Sequence, residues 1–138
     1  MNVVVDTPVW SAALRRDHSD LTAHQRRLCK SLEELISEGR AELLPLVRQE
    51  LLSGVREASQ FERLRKTLRA FVDVPLATDD YEEAARMSNL CRSKGVAGSG
   101  VDYLICAVAS RRDWAVLTLD RDFDLYAKHL PVKLLSVK

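Results

Sequence analysis

Two short apolar runs, far apart in the chain, each stop at an aspartate. Val3-Val4-Val5 ends at Asp6, and Val116-Leu117-Thr118-Leu119 ends at Asp120. Runs this short and this rich in β-branched residues, with no polar alternation, read as strands covered on both faces. Strands of that kind belong to a parallel sheet with helices on either side. The sequence between them supplies the helices. Pro8 suits the first turn of a helix through Leu14. Asp17–Asp20 is a polar loop with cap candidates. Leu21, Leu28, Leu32, Leu35 and Ile36 recur at helical spacing until Gly39 closes the helix.

The same reading continues down the chain. Residues 41–44 form a second strand, stopped by Pro45, and residues 46–56 and 59–70 form two helices. Residues 71–76 are a weaker strand candidate. Thr78 caps a helix running to about Lys94, whose first-turn acids Asp79, Asp80, Glu82 and Glu83 complement the helix dipole. Gly95–Gly100 is a flexible loop. A largely apolar helix over 102–112, a strand over 115–119, a short helix over 121–129 and a last strand over 132–135 complete the order. Strands alternate with helices and the composition never breaks, so 1–138 reads as one domain. Its expected fold class is α/β with a mainly parallel sheet.

Four acids stand where a solvated carboxylate would not be expected. Asp6 follows three valines, and Asp102 lies between Val101 and Tyr103-Leu104-Ile105. Asp120 follows an apolar strand, and Glu50 is flanked by Leu46, Val47, Leu51 and Leu52. A carboxylate in core-forming sequence is costly unless something shares its charge. A common divalent cation would do so, because hard ions such as Mg²⁺ or Mn²⁺ take oxygen ligands. Asp122, two residues beyond Asp120, is a fifth candidate. Each acid has a plain alternative as a helix cap or a turn former; their joint contexts carry the case.

Charge agrees with this. The chain holds 21 Lys and Arg against 20 Asp and Glu. Setting the five acids aside leaves 15 acids against 21 bases, a body about six charges positive. Such a body around a cation-filled acidic pocket suits a polyanion. Arg15, Arg16, Lys94, Arg111, Arg112 and Arg121 are the candidates for phosphate contacts. Arg121 leads because it sits between Asp120 and Asp122, with pairing to Asp122 as its alternative role. Trp10 and Trp114 read as core or interface aromatics. His18, His24 and His129 adjoin no nucleophile motif. No Walker-type loop is present.

These residues carry a resemblance. Val-Val-Val-Asp6-Thr-Pro-Val-Trp10 resembles the opening of the PIN-domain nucleases, and of VapC-type toxins in particular. Leu46-Val47-Arg48-Gln49-Glu50-Leu51-Leu52 is similar to their second acidic motif. Gly100-Val101-Asp102-Tyr103-Leu104-Ile105 is similar to the third and Leu117-Thr118-Leu119-Asp120-Arg121-Asp122-Phe123 to the fourth. The resemblance implies a three-layer α/β/α sandwich around a mainly parallel sheet, and that Asp6, Glu50, Asp102 and Asp120 are catalytic and bind Mg²⁺ or Mn²⁺. Asp122 then takes an outer role, and Thr118 and Thr7 orient the cluster. It implies RNA as substrate, with Arg121, Arg15 and Arg16 as RNA-binding candidates and hydrolysis without a protein nucleophile. It further implies a homodimer and a VapB-like antitoxin whose C-terminal tail covers the pocket and brings an arginine to it.

Other functions are open at this point. A housekeeping nuclease of the same family would need no antitoxin. A phosphatase domain of similar topology would want a second acid two residues after the first, where Pro8 stands, and a phosphoacceptor domain would want an acidic pair near its first strand and an aspartate at a mid-chain strand end, neither of which is evident. A non-catalytic module would not need all four acids. Three cysteines, Cys29, Cys91 and Cys106, are odd in number and widely spaced, which favours a reducing, cytoplasmic setting. The longest charge-free runs fall well short of the roughly 20 residues of a membrane span, and no signal peptide is read at the start.

Overall fold

The computed structural model describes residues 1–137; Lys138, the last residue of the expected domain, lies outside them. The described residues form four strands and seven α-helices, in the order β1 Val3–Val5, α1 Thr7–Leu14, α2 Ala23–Ser37, β2 Ala41–Glu42, α3 Pro45–Ser53, α4 Ala58–Leu68, α5 Thr78–Ser93, α6 Gly100–Arg112, β3 Ala115–Leu117, α7 Asp122–Ala127 and β4 Lys133–Leu134. The sheet has the order β2-β1-β3-β4. Every pairing is parallel, with Val3 opposite both Ala41 and Ala115, and Ala115 opposite Lys133. The helices flank this sheet in a three-layer α/β/α arrangement. β1 and β3 lie at its centre and are fully buried, as their unbroken apolar runs require.

Topology places the site before any side chain is considered. From β1 the chain passes to β2 on one side of the sheet. It then returns to β3 on the other side. The reversal of strand order therefore falls between β1 and β3, the position where parallel α/β sheets open a crevice at the carboxyl ends of their strands. Asp6 and Thr118 are the residues immediately beyond those two ends.

Local chemistry accounts for most boundaries. A capping box starts α2, with Gln25 N–H donating to Thr22 Oγ1 at 3.1 Å and Thr22 N–H donating to Gln25 Oε1 at 2.9 Å. Asp17 instead caps a single 3-10 turn, His18–Asp20. Gly39 ends α2 at φ +70°, where a side chain would be strained. Pro45 opens α3 and Pro8 lies in the first turn of α1. Cys29, Cys91 and Cys106 are buried free thiols. Among the described residues no helix is long and apolar enough to cross a membrane.

Two expectations are corrected. Residues 71–76 form no strand: Asp73 makes one parallel bridge to Leu43, and Val74 N–H donates to Leu43 C=O at 3.1 Å. Val72 is exposed, and Pro75 has no N–H to extend the ladder. Nor does Thr78 cap α5. The cap position is Ala77, whose N–H donates to Asp80 Oδ2 at 2.8 Å.

Asp80 is also more than a complement to the helix dipole. It is fully buried, at 0% exposure. Arg111 reaches its Oδ1 at 2.5 Å, and Arg112 reaches Oδ1 at 2.7 Å and Oδ2 at 3.0 Å. Arg112 further donates to the carbonyls of Val108 and Pro75 and lies over the Trp114 ring. This network ties α5 to the end of α6. Chiefly through the Arg112 guanidinium, it holds the Asp80 carboxyl far below the usual carboxylate range.

Candidate active site

Asp6 caps a helix and also lines a cavity with other acids. Its extended backbone lets Oδ1 accept from Thr7 N–H at 2.8 Å, which caps α1. Its Oδ2 accepts from the Thr118 hydroxyl at 2.8 Å. Thr118 Oγ1 in turn accepts from Asp120 N–H at 2.9 Å. One hydroxyl therefore bridges the ends of β1 and β3 and fixes the loop carrying Asp120 against Asp6. Only 4% of Asp6 is exposed. Burial pushes its pKa up to about 6, against the pull of the Thr118 and Thr7 hydrogen bonds, and the Asp102 and Asp120 charges push in the same direction.

Asp102 enters from the first turn of α6. Ser99 Oγ accepts the Asp102 N–H at 3.1 Å and caps that helix. The Asp102 carboxylate Oδ2 accepts from the Tyr126 hydroxyl at 2.7 Å. Desolvation raises its pKa, hydrogen bonds from Tyr126 and at Ser99 lower it, and Asp120 and Asp122 raise it again. Glu50 comes from α3. It is the exposed member, raised by partial burial and then by Asp102.

Asp6, Thr7, Glu50, Asp102 and Asp120 line one cavity of about 330 Å³, together with Pro8, Ser99 and Val101. No lysine or arginine is in that lining. Asp122 is not in it either: its N–H donates to Asp120 Oδ1 at 2.9 Å, and its charge acts on Asp102 through space. Thr7 Oγ1 is buried without a hydrogen-bond partner among the described residues. The donor set is thus wholly hard oxygen, with unrelieved repulsion among its carboxylates and one spare hydroxyl beside them. That chemistry fits a divalent cation such as Mg²⁺ or Mn²⁺. Among the described residues, no three His, Cys, Asp or Glu side chains stand close enough together to hold a metal ion as they are placed, so the acids would have to draw in around one.

The basic candidates divide. Arg111 and Arg112 are corrected as phosphate contacts, because both are committed to Asp80. Arg15 donates to Gly54 C=O at 3.0 Å, and Arg16 to Asp20 C=O at 3.3 Å. Lys94 is exposed. Arg121 is exposed and makes no ion pair among the described residues, so it does not brace Asp122. With His24, Asp120 and Asp124 it borders a second, smaller cavity of about 220 Å³ behind the Asp120 loop.

Two residues escaped the sequence reading. Ser99 had a signal, a serine three residues before an acid at a helix start. Tyr126 had none, since a tyrosine in a short amphipathic helix reads as core.

The PIN domain family matches residues 3–129. No curated protein matches the sequence. Among solved structures, the chain is similar to FitAcB from Neisseria gonorrhoeae at a TM-score of 0.75 and 20% identity, over 97% of this chain and 96% of that one. It is similar to VapBC2 from Rickettsia felis, solved bound to a DNA fragment from its promoter, at 0.74 and 15%, over 100% of each chain. A third similar structure is VapBC-5 from Mycobacterium tuberculosis, of the VapBC family of toxin-antitoxin systems, at 0.66 and 18%, over 99% and 100%. At these identities the likeness is one of fold.

Proposed function

Because the chain belongs to the PIN domain family, we propose that it is a metal-dependent endoribonuclease, the toxin of a VapBC-type toxin–antitoxin pair. The observation that carries this reading is the cavity shared by Asp6, Glu50, Asp102 and Asp120, with no lysine or arginine in its lining, at the reversal of strand order. These four residues would hold Mg²⁺ or Mn²⁺. A divalent ion supplies Lewis acidity toward a phosphodiester and toward the water that cleaves it. The chain's own part is positioning. Thr118 fixes the approach of Asp6 to Asp120, and Asp102 is set by the cap at Ser99. Glu50 is the most exposed of the four acids.

RNA and the antitoxin enter on the same footing. The positive body outside the five acids suits an RNA backbone, with Arg121, exposed and next to Asp120 in the chain, as the first cation to test. Solved proteins of this fold include toxin–antitoxin complexes. A partner arginine entering the acidic cavity would meet the charge that its lining lacks. Pro8, where a phosphatase of similar topology would place its second acid, sits in the first turn of α1 and offers no donor.

Cleavage of end-labelled RNA tests the proposal. The chain should cut with Mg²⁺ or Mn²⁺, fail in EDTA, and lose at least a hundredfold in rate on Asp102→Asn. Cleavage that survives EDTA, or full activity in Asp102→Asn, would refute it.

A further inference from the structure

Tyr126 joins two parts of the molecule that are otherwise held apart. It lies on α7, fully buried, with its ring against Tyr103 and Phe123 at centroid separations of 5.1 Å each. Its hydroxyl leaves this apolar packing and donates to Asp102 Oδ2 on α6 at 2.7 Å. The backbone of the loop before α6 passes directly over the phenol. A Cβ built on Gly98 would fall 2.4 Å from Tyr126 Oη and 2.8 Å from two of its ring carbons. Only glycine admits so close an approach. Gly98 takes no left-handed backbone angle, so space is the reason for it and conformation is not.

We propose that Tyr126 is a positioning residue of the acidic site: its hydroxyl ties down one oxygen of Asp102 and turns the other toward the cavity, and Gly98 leaves the room for it. The proposal rests on the metal-site reading above. A carboxylate among like charges has two low-cost escapes, rotation about its terminal torsion and rotation away from the cluster. A short hydrogen bond from a ring locked by packing blocks both. Partners of this kind behind metal-binding groups commonly change affinity ten- to a hundredfold. The contact also links α7, which begins two residues after Asp120, to the helix carrying Asp102, so two site acids move as one body. A phenol merely filling the core would give none of this, because the ring alone fills the space.

Titration calorimetry with Mn²⁺ alone separates the two roles, using the full chain and Tyr126→Phe. The substitution keeps the ring and removes the hydroxyl. Mn²⁺ affinity should fall about tenfold, with the melting midpoint in EDTA shifted by no more than a few degrees. Under saturating RNA, kcat should fall with KM little changed, and excess Mn²⁺ should recover most of the rate. Gly98→Ala leaves the hydroxyl in place but displaces it, so it should lower Mn²⁺ affinity as well. The double variant should bind no worse than the weaker single one, since both act on one contact. Tyr126→Phe within twofold of the parent chain overturns the proposal, and undiminished affinity in Gly98→Ala overturns the part assigned to Gly98. An Asp102→Asn control keeps the two readings apart. If the parent chain binds Mn²⁺ and this variant does not, the metal site stands and Tyr126→Phe alone decides. If the parent chain binds no Mn²⁺, both readings fall.

Discussion

Asp6→Asn should make the metal-free protein more stable at neutral pH, although it removes a group with two hydrogen bonds. The rise of the Asp6 pKa from an ordinary 3.8 to about 6 means that the folded state disfavours its charge. At pH 7.5 this amounts to about 3 kcal/mol of lost stability. Asn relieves it. Its amide oxygen can still accept from Thr7 N–H and cap α1. What it cannot do is accept from the Thr118 hydroxyl, because an NH2 that only donates replaces the second carboxylate oxygen. One neutral hydrogen bond, about 1 kcal/mol, is therefore forfeited. The net gain is about 2 kcal/mol, or some 6 °C in melting midpoint for a chain of this size.

The pH dependence has a definite sign. The folded pKa of Asp6 lies above its unfolded value. Its contribution is therefore fully present below about 3.8 and is lost as pH rises through about 6. Near pH 4.5 the burden falls to about 1 kcal/mol, and the midpoints of variant and parent should converge. Thermal unfolding in EDTA at pH 7.5 and 4.5 provides the measurement. A variant less stable than its parent at pH 7.5, or an offset that ignores pH, would refute the account.

Other expectations follow from the same structure. Asp80→Asn should cost about 3–5 kcal/mol, because it leaves Arg111 and Arg112 facing an uncharged amide; since Asp80 titrates below the normal range, its stabilisation persists at mild acidity and fades only as pH drops well under 3.8, and an unchanged midpoint would contradict the network. In an Asp6→Asn background, Arg121→Ala should weaken RNA binding and make the logarithmic salt slope shallower by about one contact, with its melting midpoint unmoved; an unchanged slope would retire the phosphate role. Expression of the chain alone should arrest growth while an Asp120→Ala chain does not, and equal growth with both proteins present would favour a housekeeping nuclease.

What the sequence revealed and withheld has a physical pattern. β1 and β3 were legible because strands covered on both faces must be apolar throughout, and β-branched runs have few other uses. Asp6, Glu50, Asp102 and Asp120 were legible because carboxylates in apolar surroundings are conspicuous. The Asp80 network was hidden by a sufficient local explanation: first-turn acids suit a helix dipole, and nothing nearby announces partners 31 and 32 residues away. Residues 71–76 misled because hydrophobicity resembles a strand whether or not a neighbour has edge groups left to pair. The bond from Tyr126 to Asp102 could not be read at all, since it depends on how α7 docks beside α6.

The bond between Thr118 and Asp6 joins residues 112 positions apart. β1 finds its central neighbour only when β3 has been made, so the crevice does not exist in a chain that stops before Ala115. Chains released early carry Asp6, Glu50 and even Asp102, yet lack the strand that gathers them. A ribosome that stalls before Ala115, or a protease that removes the chain from there on, therefore leaves a fragment without the crevice. The order of elements along the chain makes assembly of the crevice wait for β3.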